Sequence, residues 1–583
     1  MKIGLAKLIE RIKSLRAYQF ILNRIFTSKK KTSVNALDSS ILYQRIYMII
    51  IIFAVVFSIV ASKLIIVSTN KIAAKNYFAP EIISRNEIVD RNGVLLAVDL
   101  AVVSLYAQPK LILDPKKTAD DLIKIFPDLK KKDLLKLLDT DRNFAWIKRN
   151  ITPKQQHQVN SLGVPGLEFE KGTKRIYTQS NLFSHVLGYV DTDGQGIAGI
   201  EKQYDEVLRN PKNGKLELSL DVRVQNIVHN ELTKYIEEFK AKGGIGIVMD
   251  ANNGELISLV SLPDFDPHYP GSANPEMLFN QFSLGVYEVG SIMKGLTVAM
   301  GLETKSVSLT DVYNVKAPIK AARFTIHDYR IKLNYLSVPQ IFMHSSNIGT
   351  AMISLEVGGD KQRKFLKKWG LFDPLKIELP EKGVPMYPSE KNWSEISTMT
   401  IAFGHGIAVT PLHFIRAAVS LVNGGYVLEP TLFKKNSKDE TPIVRVISQG
   451  TSEIMRKLMR LTVTDGSGKK ANSKGYLVGG KTGSAEKSIR GGYSKTAKYS
   501  CFFAGFPINN PRYVTLMILD DPRPNAKTPF TGGGWTAAPL TGSVISRIAP
   551  LLNVKPLDEN DPKIVEELYL EFDPDAEIES ENF

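Results

Sequence analysis

The sequence predicts an α+β protein carried on a single N-terminal membrane-spanning helix. Three observations predict it: an uncharged apolar run at Ile46–Ser62, pairs of β-rich runs joined by short polar turns, and a helix-like apolar run opening at Ser291. The 583 residues are 43% hydrophobic and 23% charged, the balance of a folded chain rather than a disordered one. That length suits roughly three or four domains of ordinary size. One cysteine excludes a disulfide framework within the chain and any multi-cysteine metal site, and the eight histidines form no His-Glu-x-x-His. A mean hydropathy of −0.09 excludes a polytopic membrane protein but not one anchor.

The anchor comes first. Ile46–Ser62 is 17 residues long, and the apolar stretch resumes after Lys63 as Leu64–Val67. At about 1.5 Å per residue the span is about 26–33 Å, which brackets a hydrocarbon core of about 30 Å. Lys63, near one end, can snorkel to the interface. A cleaved signal peptide fits poorly, because a 45-residue leader precedes the run and no small-residue cleavage site follows. Residues 1–45 carry ten Lys/Arg against Glu10 and Asp38. The positive-inside rule therefore puts this leader in the cytoplasm and the rest of the chain, including Phe583, outside it.

The net charge of +15 is uneven, since residues 556–583 hold 11 Asp/Glu against Lys563. This acidic tail reads as solvated and disordered. The basic remainder has no stripe interleaved with stacking aromatics, so no nucleic-acid partner is expected. No Gly-x-x-x-x-Gly-Lys-Ser/Thr loop is present either.

Residues 68–215 read as a mixed α+β region. Arg91-Asn92-Gly93 turns between strands at Glu87–Asp90 and Val94–Val98, and Lys130–Leu138 reads as helical. Residues 216–555 read as an antiparallel sheet flanked by helices. Its strands are Gly244–Asp250 and Glu255–Leu262, then Gly475–Lys481, Ser500–Phe506 and Arg512–Leu519.

The chemistry-bearing residues recur in order. Ser291 and Lys294 share a helix face, so the hydroxyl and the amine can meet. An amine serves as base only when neutral, so Lys294 needs burial or a neighbouring cation to lower its pKa. Ser-x-x-Lys alone says little, because it occurs five times, at Ser28, Ser68, Ser291, Ser467 and Ser484. Ser291 is singled out by Ser345-Ser346-Asn347, 54 residues on, and by Lys481-Thr482-Gly483-Ser484, 136 beyond that. Gly483, placed at a strand end, would let a substrate approach the backbone.

In this order the set resembles the signature of penicillin-binding proteins and serine β-lactamases. The chain from the anchor to about residue 550 resembles a class B penicillin-binding protein, a peptidoglycan D,D-transpeptidase. Asp90-Arg91-Asn92-Gly93, Gly196-Ile197-Ala198-Gly199-Ile200-Glu201, Phe403-Gly404-His405-Gly406, Val409-Thr410-Pro411 and Ala504-Gly505-Phe506-Pro507 are also similar to that family. The family usually has Pro where Val289 stands, Thr at Ser484 and Ser467, and Gly at Asn86.

The resemblance implies an elongated non-catalytic pedestal of the dimerisation type (68–215) and a transpeptidase domain (216–555). It implies Ser291 as the acylated nucleophile, Lys294 as base, Ser345 as proton relay and Asn347 as holder of the substrate's peptide carbonyl. Lys481 would supply positive field, and Thr482, Gly483 and Ser484 would bind the terminal carboxylate. Backbone N–H groups of Ser291 and Ser484 would form the oxyanion hole. No metal or organic cofactor is implied.

The expected substrates are peptidoglycan stem peptides, the expected covalent inhibitors β-lactams, and the expected membrane partner a polytopic glycan polymerase among other division proteins. His327-Asp328, the Phe-Gly-His-Gly segment and Val478–Gly483 resemble the division branch more than the elongation branch. An elongation-type transpeptidase, a non-catalytic β-lactam sensor and a β-lactamase are the alternatives, the last requiring a deacylating base to which no glutamate is assigned. Cys501 reads as a packing thiol and His405 as a local structural histidine. Gly532–Trp535 reads as a loop near the site mouth.

Overall fold

The computed structural model describes residues 37–69, 84–321, 324–329, 333–435, 444–489 and 492–570. Most of the expected leader (to residue 36) and the tail from residue 571 lie outside the described residues. Helix α1 (Leu37–Thr69) contains a 23-residue stretch, Tyr43–Ile65, long and apolar enough to cross a membrane. No part of its most apolar window is buried by protein, unlike the core helix of a soluble domain.

Ile82–Phe583 form a separate compact unit. Its first part is a five-stranded sheet of β1 (Ile88–Val89), β2 (Leu95–Ala107), β3 (Ala145–Ile151), β4 (Leu167–Tyr177) and β5 (Leu216–Glu217). Leu105, Ala107 and Ile147 of this sheet bury against Leu122, Phe126, Leu134 and Val159 from the intervening helices. The turn expected at Arg91–Gly93 is present, with Gly93 at φ +83°. Asp90 Oδ1 accepts the N–H groups of Asn92 and Val94 at 2.8 and 2.9 Å, which sets the turn. Asn86 keeps a negative φ and donates through its side chain to Asn210 O at 2.7 Å, so no glycine is required there.

The second part is built on an antiparallel sheet. It contains β6 (Gly243–Asp250), β7 (Leu256–Leu262), β8 (Gly479–Ile489), β9 (Gly492–Phe506) and β10 (Tyr513–Asp520), in the order β8-β9-β10-β6-β7. Helices cover both faces, so β7 is buried throughout and β6 up to Met249. On one face Ile245, Ile247, Leu516 and Phe503 pack with Leu296 and Phe414. On the other, Val248, Phe502 and Met517 pack with Val228 and Leu232 of α2 (Val222–Glu238). Gly244 and Gly246 of β6 fall on that second face. A Cβ at Gly246 would lie 2.4 Å from Val228 Cγ1, so the missing side chain is what lets α2 sit close.

The strand expected at Gly475–Lys481 is displaced: β8 begins at Gly479 and runs to Ile489. Leu477 adopts a left-handed φ of +41°, which breaks an extended run there. Glu486, Lys487 and Ser488 hid the strand because β8 is an edge strand and has one neighbour to satisfy. Lys481–Ser484 therefore lie inside β8, paired with Phe503, Phe502, Cys501 and Ser500, and not at a strand end. The first residues of the expected tail are ordered. Glu559 accepts from Arg460 at 2.6 Å, and Pro562–Leu568 is helical.

Candidate active site

Ser291 sits in a single 3-10 turn, Gly290–Met293, that leads into α3 (Lys294–Glu303). Ile292 and Met293 are buried and anchor the turn in the core. Gly290 has φ +59°, and a Cβ there would stand 2.6 Å from Ser484 O. The nucleophile turn thus lies directly against β8. Gly483 serves the same contact, since a Cβ on it would come within 2.9 Å of Ile292 Cγ2. Protein fills the space that the sequence suggested for substrate.

Lys294 is fully buried, with Nζ 2.6 Å from Ser345 O, 2.7 Å from Asn347 Oδ1 and 3.1 Å from Ser345 Oγ. Burial is the chief cause that holds this amine well below the usual lysine range, and the charge of Lys481 acts in the same direction, against Asp328. Nζ donates to both carbonyl oxygens and to the Ser345 hydroxyl.

Ser345 ends α4 (Val338–His344) in the left-handed region, at φ +63°, and Ser346 caps α5 (Asn347–Val357). Ser346 Oγ accepts from Gly349 N–H at 2.9 Å and donates to Asp328 Oδ2 at 2.6 Å. Asp328 Oδ1 accepts from the N–H groups of Asn347 (2.5 Å) and Ile348 (3.1 Å), a carboxylate at a helix N-terminus. Asn347 Nδ2 also donates to His327 O at 3.1 Å. The sequence marked His327-Asp328 only as a branch resemblance; its structural part is to fix Asn347 beside Lys294.

Lys481 on β8 is the second buried lysine, lowered to about 7 by burial, with Nζ 5.6 Å from the Phe342 ring centre. Thr482 Oγ1 and Ser467 Oγ are hydrogen-bonded at 2.7 Å, and Ser484 Oγ accepts from Gly533 N–H at 3.1 Å. Ser467 was not anticipated as part of the site, and Gly533 only as part of a loop near its mouth. A Cβ at Gly533 would stand 2.4 Å from Gly483 O, so the glycine-rich loop closes directly on β8. Cys501 pairs with Gly483 in the register and is buried, its thiol pushed up to about 12 by burial. All eight expected site residues thus fall in the nucleophile turn, at the first residue of α3, at the α4–α5 junction or in β8. Among the described residues no group of three His, Cys, Asp or Glu is placed to hold a metal.

A family model described as the penicillin binding protein transpeptidase domain matches residues 244–543, and one described as the penicillin-binding protein dimerisation domain matches residues 82–240. A probable peptidoglycan D,D-transpeptidase FtsI of Caulobacter vibrioides is 39% identical over 486 residues, 81% of this chain and 82% of the relative. A probable peptidoglycan D,D-transpeptidase PenA of Neisseria meningitidis is 30% identical over 506 residues, covering 81% and 85%. Among solved structures, penicillin binding protein 3 of Mycobacterium tuberculosis complexed with ampicillin superposes with a TM-score of 0.66 at 23% identity, over 82% of this chain and 97% of that one. That likeness concerns the fold. The family models and the sequence relatives together assign the chain to the class B penicillin-binding proteins, in which a dimerisation domain precedes a transpeptidase domain.

Proposed function

We propose that the chain is a peptidoglycan D,D-transpeptidase acting at the division septum, with Ser291 as nucleophile and Lys294 as base. The observation that carries the reading is the buried Lys294 amine, held between Ser345 and Asn347 at the head of the helix that follows Ser291. In this reading Ser291 Oγ attacks the carbonyl of the penultimate D-alanine while its proton moves to Lys294. The tetrahedral intermediate then expels D-alanine, whose nitrogen takes that proton with Ser345 as relay. An acyl ester on Ser291 remains, and the amine of a neighbouring stem attacks it to form the cross-link. The named activities of the curated relatives support this reaction, and the FtsI relatives support the septal role.

Lys481, Thr482 and Ser484 meet the substrate's terminal carboxylate. An arriving anion favours the charged form of Lys481, so the substrate itself restores the positive field that burial weakens. Thr482→Ala removes a charge-assisted hydrogen bond of roughly 1.5–3 kcal/mol. We expect the second-order acylation rate with a carboxylate-bearing β-lactam to fall about 10–150-fold. An unchanged rate in stopped-flow acylation removes Thr482 from carboxylate binding.

Residues 68–215 form the pedestal and 216–555 the transpeptidase part, with the leader cytoplasmic and the catalytic part exported. The charge bias before Ile46 and the apolar stretch Tyr43–Ile65 support that orientation. Protease added outside spheroplasts should digest the C-terminal mass and leave a small protected fragment; complete protection reverses the topology. A polytopic glycan polymerase in the same membrane would supply the strands. The reading as a whole is tested by incubating the chain with a fluorescent penicillin, since a chain that forms no covalent adduct is not this enzyme.

A further inference from the structure

Three residues before Ser291, the side chain of Glu288 is held at the edge of the site. Its Oε1 accepts hydrogen bonds from Gly406 N–H and Tyr493 O–H, both at 2.8 Å. The turn bearing Gly406 presses on the nucleophile turn, and a Cβ at Gly404 would stand 2.2 Å from Gly290 O. Glu288 Oε2 is buried and has no hydrogen-bond partner. His405 Nδ1 is 3.4 Å from it, but burial, with the charge of Lys294 adding, lowers this imidazole to about 4. Near neutral pH the ring is therefore uncharged, and the contact is not an ion pair. The other titratable groups that face Glu288 are Tyr493 of β9 and Glu486 of β8, and burial raises the Glu288 carboxyl above its usual range. Among the residues whose side chains are described, no lysine or arginine forms an ion pair with Glu288. A largely buried carboxylate that lacks a cation is costly on its own, and a visiting cation offsets that cost.

The D,D-transpeptidase reading, on which this inference rests, brings such a cation. The acceptor is a primary amine, an ammonium at neutral pH, and it must shed two protons to become an amide nitrogen. The route through Lys294 returns one proton, to Ser291 Oγ. A second receiver is needed.

We propose that Glu288 seats the acceptor's primary ammonium and takes the first of those protons. The ammonium replaces the Tyr493 hydroxyl at Oε1, and Tyr493 is itself 41% exposed. The carboxylate takes one proton and leaves a neutral amine. The nitrogen lone pair forms the C–N bond to the acyl carbon, and the C–Oγ bond breaks. The nitrogen's second proton passes through Lys294 to Ser291 Oγ, and Glu288 releases its own proton to water.

The experiment uses the full-length chain with a thioester donor, N-benzoyl-D-alanyl-thioglycolate, and two acceptors. D-alanine presents an ammonium, whereas hydroxylamine is uncharged at neutral pH and sheds only one proton. Hydrolysis and transfer products arise from the same acyl-enzyme, so their ratio is independent of the acylation rate. Glu288→Gln should lower the transfer-to-hydrolysis ratio for D-alanine about 10²-fold and leave the ratio for hydroxylamine within a few-fold of its starting value. Equal losses for both acceptors, or none for either, overturn the proposal. Should the Gln variant fail to fold, Glu288→Asp decides by the same comparison: it should lose transfer to D-alanine selectively, by a smaller factor. A native chain that forms no penicillin adduct overturns the enzyme reading and this inference with it. An adduct with acceptor-independent ratios overturns this inference alone.

Discussion

Ser291→Ala is expected to abolish the covalent adduct of the chain with a β-lactam. The lactam amide is strained and carries a carboxylate near the reacting carbonyl, so it meets the same groups as the acyl-D-alanyl-D-alanine terminus. Removing Oγ removes the atom that becomes acylated, and no neighbouring hydroxyl substitutes. Ser345 Oγ lies by Lys294 but belongs to the left-handed end of α4, and Ser484 Oγ is engaged by Gly533 N–H. Intact-protein mass spectrometry with peptide mapping reads the result. An adduct on Ser467, Ser484 or another Ser-x-x-Lys copy would overturn the assignment. Rapid loss of the native adduct would instead favour a hydrolytic enzyme.

Lys294→Ala is expected to slow acylation by about 10²–10⁴-fold, the usual contribution of a positioned general base. Lys294→Arg should lose as much, although it keeps a cation, because a guanidinium does not give up its proton. An Arg variant that acylates near the native rate would show that charge matters and proton transfer does not. The sign of the pH dependence follows from the same chemistry. Only neutral Lys294 accepts the serine proton, so the acylation rate rises as pH rises through its lowered pKa and levels off above it. The same shift disfavours the fold. Between the lowered value and the ordinary lysine range near 10.4, the unfolded chain binds a proton that the folded chain does not, so stability rises with pH across that window. Stopped-flow acylation between pH 5 and 9 measures the first effect, and a rate that falls with rising pH contradicts the base assignment.

The sequence made Ser291, Lys294 and Lys481–Ser484 legible because ordered spacing distinguished them from four other Ser-x-x-Lys copies. Hairpins such as β6–β7 were legible because polar turn residues separate two runs of apolar ones. Asp328 and Gly533 were harder to see, since each acts on a partner far along the chain: Asp328 on Asn347, Gly533 on Ser484. The extent of β8 was hidden for a different reason. A strand at a sheet edge tolerates Glu486 and Lys487 where alternation would demand apolar residues, while Leu477, apolar and buried, is not extended at all.

The turn that carries Asp90 and Asn92 reaches beyond the sheet to which it belongs. Asp90 Oδ2 accepts the first N–H of α2, from Val222, at 3.1 Å, and Asn92 Nδ2 donates to Asp221, the residue that caps that helix, at 3.0 Å. A helix cap is worth about 1 kcal/mol, and here part of it is supplied by the turn that follows β1. The match to the dimerisation domain, residues 82–240, spans both the turn and α2, so the helix packed under the central sheet falls in the same match as the first sheet. A chain begun at residue 216 would lack Asp90 and Asn92, and the first turn of α2 would fray ahead of Val228, which packs against Gly246 of β6. The first sheet and the sheet that carries Lys481 thereby share the start of one helix.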